Sequence, residues 1–142
     1  MPKIKIEGCH QLTGTITVGG AKNSVVALIP AAILCDETVT ISNVPNITDV
    51  DDLEKILLHL NAKIDRTPGE VVINSSDIIN REITQELSKK LRASYYFMGA
   101  LLGKFNRVEM YFPGGCAIGA RPINLHLKGF ESLGATITEE DN

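Results

Sequence analysis

Two short stretches near the start, residues 3–7 and 14–18, alternate apolar and polar positions, with Ile4 and Ile6 in the first and Ile16 and Val18 in the second. A period of two predicts two strands joined near Gly8. Gly19-Gly20-Ala21 then makes a tight turn, and Lys22-Asn23-Ser24 leads into Val25, Val26, Ala27, Leu28, Ile29, Ala31, Ala32, Ile33 and Leu34. That run is apolar on nearly every side, so a helix over 22–34 is expected to be packed all round, with Pro30 bending or breaking it. Residues 39–42 read as a strand. Leu53, Ile56, Leu57 and Leu60 follow i, i+3, i+4, i+7, which predicts a helix over 50–60 with one core face. Its outer face carries Asp52, Glu54 and Lys55, and Asp49 is the expected N-cap. Thr67-Pro68-Gly69-Glu70 turns between strands at 62–66 and 71–74, and the polar stretch 76–84 is a connection. Leu87, Leu91, Ser94, Tyr95, Met98, Leu101 and Leu102 mark a second buried helix.

This pattern occurs twice. The helix over 22–34, the strand over 39–42, Pro45, the helix over 50–60 and Ala62-Lys63-Ile64 are matched by a helix over 92–102, a strand over 108–111, Pro113, a helix over 125–133 and Ala135-Thr136-Ile137. Pro45 to Ala62 is 17 positions (62 − 45), whereas Pro113 to Ala135 is 22 (135 − 113), so the second copy carries five extra residues. They fall in Gly-Cys-Ala-Ile-Gly. Since the first copy makes the same turn without them, the insertion is not needed for folding, and such loops are where function concentrates. In the first copy the last strand is followed by a turn and a partner strand, and in the second it is not. The chain is therefore expected to end within its second repeat. Alternating helices and strands give an α/β (α+β) layer structure with helices covering a sheet.

At 142 residues and 44% apolar content the chain suffices for a single core. No apolar run reaches the eighteen or so residues of a membrane span, and the start lacks the apolar stretch of a signal peptide, so a cytoplasmic protein is expected. Cys9, Cys35 and Cys116 are an odd number at unrelated spacings with no CxxC pair or histidine cluster, which supports neither a disulfide framework nor a metal site. A net charge of −3, no basic run and 5% aromatic residues argue against a nucleic-acid surface. A small anion remains a fitting ligand, since it needs only local positive charge.

Candidate chemistry lies in Phe112-Pro113-Gly114-Gly115-Cys116-Ala117-Ile118-Gly119-Ala120-Arg121-Pro122. Three glycines and two prolines in eleven residues cannot continue a helix or an inner strand, so this is a loop that sets a thiol near an anion-binding arginine.

That loop, together with Gly20-Ala21-Lys22-Asn23-Ser24, Asn43-Val44-Pro45 with Asp49-Val50, Leu91-Arg92-Ala93-Ser94, and Leu125-His126, resembles the N-terminal portion of the UDP-N-acetylglucosamine 1-carboxyvinyltransferase (UDP-N-acetylglucosamine enolpyruvyl transferase) family. The resemblance runs through the whole chain in one register. It implies about two βαβαββ units, the second incomplete, of an "inside-out" α/β barrel, with residues 1–21 as N-terminal strands that associate in longer members with the C-terminal domain. Residues 22–142 would be an incomplete N-terminal domain with its active-site loop at 112–122. The implied reaction is addition–elimination: the sugar 3-hydroxyl attacks C2 of phosphoenolpyruvate, C3 gains a proton, and phosphate leaves. This is the first committed step of bacterial peptidoglycan synthesis. No cofactor or metal is implied.

By the same resemblance Cys116 is the proton donor and the target of the epoxide fosfomycin. A thiol among cations has a lowered pKa and is partly thiolate, which suits that task. Lys22, Arg92 and Arg121 are the matched cations. Lys22 and Asn23 are assigned to phosphoenolpyruvate, while Arg92, Arg121, Pro122, Ile123, Asn124 and Leu125 are assigned to UDP-N-acetylglucosamine. Asn124 stands where many members have aspartate, which changes an acceptor for a donor on one arm. The family's catalytic aspartate would lie beyond residue 142, so the chain alone is expected to be inactive.

The rival readings are structural. Lys22 could be a solvated surface charge and Arg92 an ion-pair partner; His59 and His126 read as helix-face residues, and Asp49, Asp51 and Asp52 as a cap and solvated face. At the level of function the alternatives are a 5-enolpyruvylshikimate-3-phosphate synthase-like enzyme, which lacks the cysteine loop, and a non-catalytic anion-binding or assembly module. An unpaired sheet edge favours self-association of the fragment.

Overall fold

The computed structural model describes residues 3–9, 11–113 and 122–140. Helix α1 (Lys22–Ala31) tightens into a 3₁₀ turn at Ala32–Leu34, and is followed by strand β1 (Val39–Ser42), helix α2 (Thr48–His59), and strands β2 (Lys63–Thr67) and β3 (Glu70–Asn74). Then come α3 (Gln85–Lys90), a 3₁₀ turn at Arg92–Tyr95, α4 (Tyr96–Phe105) and α5 (Asn124–Ser132). The strands form an antiparallel sheet in the order β1-β3-β2. The β2–β3 hairpin turns through Pro68 and Gly69, and Gly69 has a φ of +82°, which glycine adopts without strain.

The core forms where the apolar stripe of α2 meets the sheet. Leu53, Ile56, Leu57 and Leu60 are fully buried, as the period required, with Val71 and Ile73 of β3 and Ile29, Ile33, Phe97 and Leu101 from α1, its 3₁₀ extension and α4. Helix α1 packs against α2 and α4. It is not covered all round, however: Leu28 and Leu34 are 51% and 53% exposed. Pro30 sits in the last turn of α1, and the change to a 3₁₀ turn follows directly after it.

Helix α2 starts two residues before the expected position. Ile47 flanks it in an extended conformation with no side-chain cap, so Asp49 lies within the first turn instead of capping it. The three aspartates there each meet a cation: Asp49 pairs with Lys22, Asp52 with Lys55 at 2.7 Å, and Asp51 with Arg66, which also reaches Glu54 at 3.4 Å. The hydrogen bond to Asp51 is the leading cause of the raised Arg66 pKa, and the bond to Asp52 that of Lys55.

The connection over 75–84 is tied to the end of α2 and to the 3₁₀ turn that follows α1. The His59 Nε2 lies 2.8 Å from the Glu82 carbonyl, Asn61 Nδ2 donates to the Asp77 carbonyl at 2.9 Å, and buried Ser75 donates to the Cys35 carbonyl at 2.8 Å.

Four strand expectations differ from the structure. The alternating residues at 3–7 and 14–18 form no ladder, and Ile4, Ile6, Ile16 and Val18 are all more than 80% exposed. Period-two alternation marks which face would be buried, but a strand also needs a partner to satisfy its backbone. Among the described residues, 108–111 make one bridge, Ile83 with Met110, and 135–138 form no strand. The second helix is also interrupted, since Leu91 is extended (φ −134°, ψ 123°) between α3 and the 3₁₀ turn. Among the described residues the second copy therefore keeps the helix order of the first without its sheet. Among the described residues no helix is long and apolar enough to cross a membrane.

Candidate active site

Lys22 is the first residue of α1, and its position is set by a backbone contact two residues earlier. A Cβ at Gly20 would lie 1.7 Å from the carbonyl oxygen of Asn43, so only glycine lets the turn approach β1 this closely. Asn43 is itself left-handed, with a φ of +57°, and Val44 N–H donates to the Gly69 carbonyl at 2.9 Å, which fixes that end of the sheet. The start of α1 is thereby held beside the start of α2. Lys22 Nζ lies 2.5 Å from Asp49 Oδ1, the lysine side chain being 57% and the aspartate 17% exposed.

This pairing follows from the helix dipoles. A cation at a helix N-terminus is disfavoured and an anion favoured, so Asp49 in the first turn of α2 offsets the poor placement of Lys22 at the start of α1. Asn23 is exposed on the same turn. Because Lys22 is more than half exposed, Asp49→Asn is expected to lower stability by only about 0.2–1 kcal/mol, and by less in high salt. Urea unfolding at two ionic strengths checks this.

Arg92 opens the 3₁₀ turn. Side chains three apart eclipse in such a turn, which places the Tyr95 ring under the guanidinium, with Cζ 5.8 Å from the ring centroid. Arg92 Nε is buried without a hydrogen-bond partner, and among the described residues no carboxylate forms an ion pair with this arginine. The ion-pair reading of Arg92 is therefore not observed. Tyr95 stacks on Tyr96 at 4.4 Å and lies 4.8 Å from the His126 ring of α5. Burial pushes the Tyr95 phenol above its ordinary pKa; the neighbouring Tyr96 hydroxyl adds to this and the Arg92 charge opposes it.

Tyr95, Tyr96, Ile123, His126 and Phe130 line a cleft of about 200 Å³ between α4 and α5. Ile123 is buried at the entry to α5, while Pro122, Asn124 and Leu125 are exposed. The candidates thus form two groups, Lys22 and Asn23 with Asp49, and Arg92 with Tyr95 and the start of α5. No hydrogen bond or ion pair joins the groups among the described residues. Cys116 and Arg121 lie outside the described residues, as does the expected five-residue excursion. Cys9 and Cys35 are exposed free thiols, and no group of three metal-ligating side chains occurs among the described residues.

Sequence reasoning missed Gly20 as a contact point, Asp49 as the partner of Lys22, and Tyr95 as the support of Arg92. The last left a trace in the i, i+3 spacing, which counts only once the turn is 3₁₀ rather than α.

Comparison with known proteins gives this geometry a family. The family model for EPSP synthase (3-phosphoshikimate 1-carboxyvinyltransferase) matches residues 6–142. The chain belongs to the EPSP synthase family. Within it, the chain is 50% identical over 140 residues to UDP-N-acetylglucosamine 1-carboxyvinyltransferase 2 of Oceanobacillus iheyensis, covering 99% of this chain and 33% of that protein. The like-named proteins of Lactiplantibacillus plantarum and Bacillus subtilis are 50% identical over 142 residues and 46% over 140, covering 100% and 99% of this chain and 33% of each. The chain thus spans about a third of the length of the curated relatives it matches. Among solved structures, the enolpyruvyl transferase NikO from Streptomyces tendae aligns with a TM-score of 0.59 at 24% identity, over 66% of this chain and 22% of that one. This last likeness establishes the fold, a partial α/β arrangement of the EPSP synthase family.

Proposed function

We propose that the chain is the N-terminal portion of an enzyme that transfers the enolpyruvyl group of phosphoenolpyruvate to the 3-hydroxyl of UDP-N-acetylglucosamine, in the cytoplasm, at the first committed step of peptidoglycan synthesis. The observation that carries this reading is the 50% identity, across essentially the whole chain, to proteins named for that transfer.

The chemistry asks for fixed positive charge in a site that excludes water, because phosphoenolpyruvate is a compact multiply charged anion. In this reading Lys22 and Asn23 hold phosphoenolpyruvate, and Arg92 and Arg121 with the segment from Pro122 to Leu125 hold the nucleotide sugar. The sugar oxygen bonds to C2 as Cys116 delivers a proton to C3. Loss of phosphate from C2 together with a proton from the C3 methyl group then restores the double bond, and the proton of the sugar hydroxyl goes to a base outside this chain. No cofactor takes part. Lys22 would meet its ligand while sharing its charge with Asp49, whereas Arg92 is free of a competing carboxylate among the described residues. The exposed apolar residues of the first 21 positions fit strands that pair with the C-terminal domain of a longer protein, and without that domain they favour self-association.

Phosphate release by the full-length protein tests the reading. Turnover is expected with phosphoenolpyruvate and UDP-N-acetylglucosamine, and none from the 142-residue chain alone. Turnover with shikimate 3-phosphate instead would establish the alternative acceptor suggested by the family's name.

A further inference from the structure

Arg92 depends on its neighbours for its position in a way that the substrate assignment does not explain. A guanidinium without a carboxylate partner and with a buried, unbonded Nε has no hydrogen bond among the described residues to hold its plane. The ring of Tyr95 is the group placed to do so, at 5.8 Å from Cζ. Tyr95 is in turn fixed from two sides, by Tyr96 at 4.4 Å and by His126 at 4.8 Å. His126 belongs to the first turn of α5, beside Asn124 and Leu125. The ring of Tyr95 therefore bridges the two parts of the nucleotide-sugar site, Arg92 on the 3₁₀ turn and His126 at the start of α5.

We propose that Tyr95 is a positioning residue for UDP-N-acetylglucosamine: its face orients the Arg92 guanidinium, and its contact with His126 sets the distance from Arg92 to the start of α5. The inference rests on the transferase reading above. A preoriented guanidinium loses little freedom when it engages a phosphate or carbonyl oxygen of the ligand, so the ring acts on affinity for the nucleotide sugar and not on the chemical step. The aromatic face is the operative feature, and the phenol oxygen is not.

Four variants of the full-length protein test this. Tyr95→Leu keeps apolar volume but removes the ring, and is expected to raise KM for UDP-N-acetylglucosamine about three- to tenfold, the range of a partly desolvated cation–π contact. Its kcat and its KM for phosphoenolpyruvate should stay within about twofold on the same grounds. Tyr95→Phe should restore KM to within about twofold of the wild type, because the face is retained. In an Arg92→Ala background, Tyr95→Leu should have no further effect on KM. Equal losses in Leu and Phe variants, an undiminished effect without Arg92, or a loss that falls on kcat would each overturn the proposal. Thermal unfolding of the four proteins of the cycle needs no ligand: additive shifts in Tm for Arg92→Ala and Tyr95→Leu would refute the contact itself. If the shifts are coupled but the wild type does not use UDP-N-acetylglucosamine, the transferase reading fails, and the role of the ring in binding that sugar falls with it.

Discussion

Replacing Cys116 by alanine in the full-length protein is expected to slow enolpyruvyl transfer by about 10²- to 10⁴-fold, the usual contribution of a positioned proton donor. Nucleotide-sugar binding should persist, because alanine removes the thiol and leaves the cations. Fosfomycin labelling gives a second readout. Cys9 and Cys35 are free and exposed, so if access alone governed alkylation, both would react. Selective modification of Cys116, lost in Cys116→Ser and unchanged in Cys9→Ser and Cys35→Ser, would therefore report an activated thiol. Peptide mapping that finds the adduct chiefly on Cys9 or Cys35 would remove Cys116 from its assigned role.

Gly20→Ala is expected to be the most damaging single-methyl change in the described part of the chain. The added carbon would meet a backbone oxygen at 1.7 Å, and no side-chain rotation relieves a clash with a carbonyl. Either the turn or Asn43 must move, at a cost of about 1–3 kcal/mol or more. Gly19 is the control, since a Cβ there meets nothing within 4 Å, and Gly19→Ala should change stability by less than about 0.5 kcal/mol. Urea unfolding of the two variants compares them directly; similar midpoints would mean that the turn is not held against Asn43. Because Lys22 follows two residues later, Gly20→Ala should also raise KM for phosphoenolpyruvate in the full-length protein.

The elements that were legible in the sequence are those whose signal is local. The stripe from Leu53 to Leu60 identified α2 because its period is intrinsic to a helix, and Pro68-Gly69 identified the hairpin because a turn is a property of four residues. Alternation at Ile4, Ile6, Ile16 and Val18 was equally plain and formed no strand, because a ladder depends on a partner elsewhere. The break at Leu91 was hidden by a continuous apolar pattern. It is stabilised by serines whose role depends on the fold, buried Ser94 donating to the Ser88 carbonyl at 3.0 Å and Ser88 to the Ile83 carbonyl at 3.2 Å. In the site, the glycine turn and Lys22 were visible as a motif. Asp49 was visible only as a helix-start acid, since its pairing across 27 positions (49 − 22) is created by the packing of α1 on α2.

The Tyr95–Tyr96 stack also determines which part of the molecule can be followed optically. The chain has no tryptophan and three tyrosines, two of which touch with 27° between their planes, while none of the three strands carries an aromatic residue. In the tyrosine band, near-ultraviolet dichroism therefore reports chiefly on the corner where α4 meets α5 and has no chromophore on a strand, whereas far-ultraviolet dichroism averages over every element. A near-ultraviolet signal that melts ahead of the far-ultraviolet one would mark the release of α5 from a still-folded sheet, with the tyrosine pair as a local thermometer that needs no label.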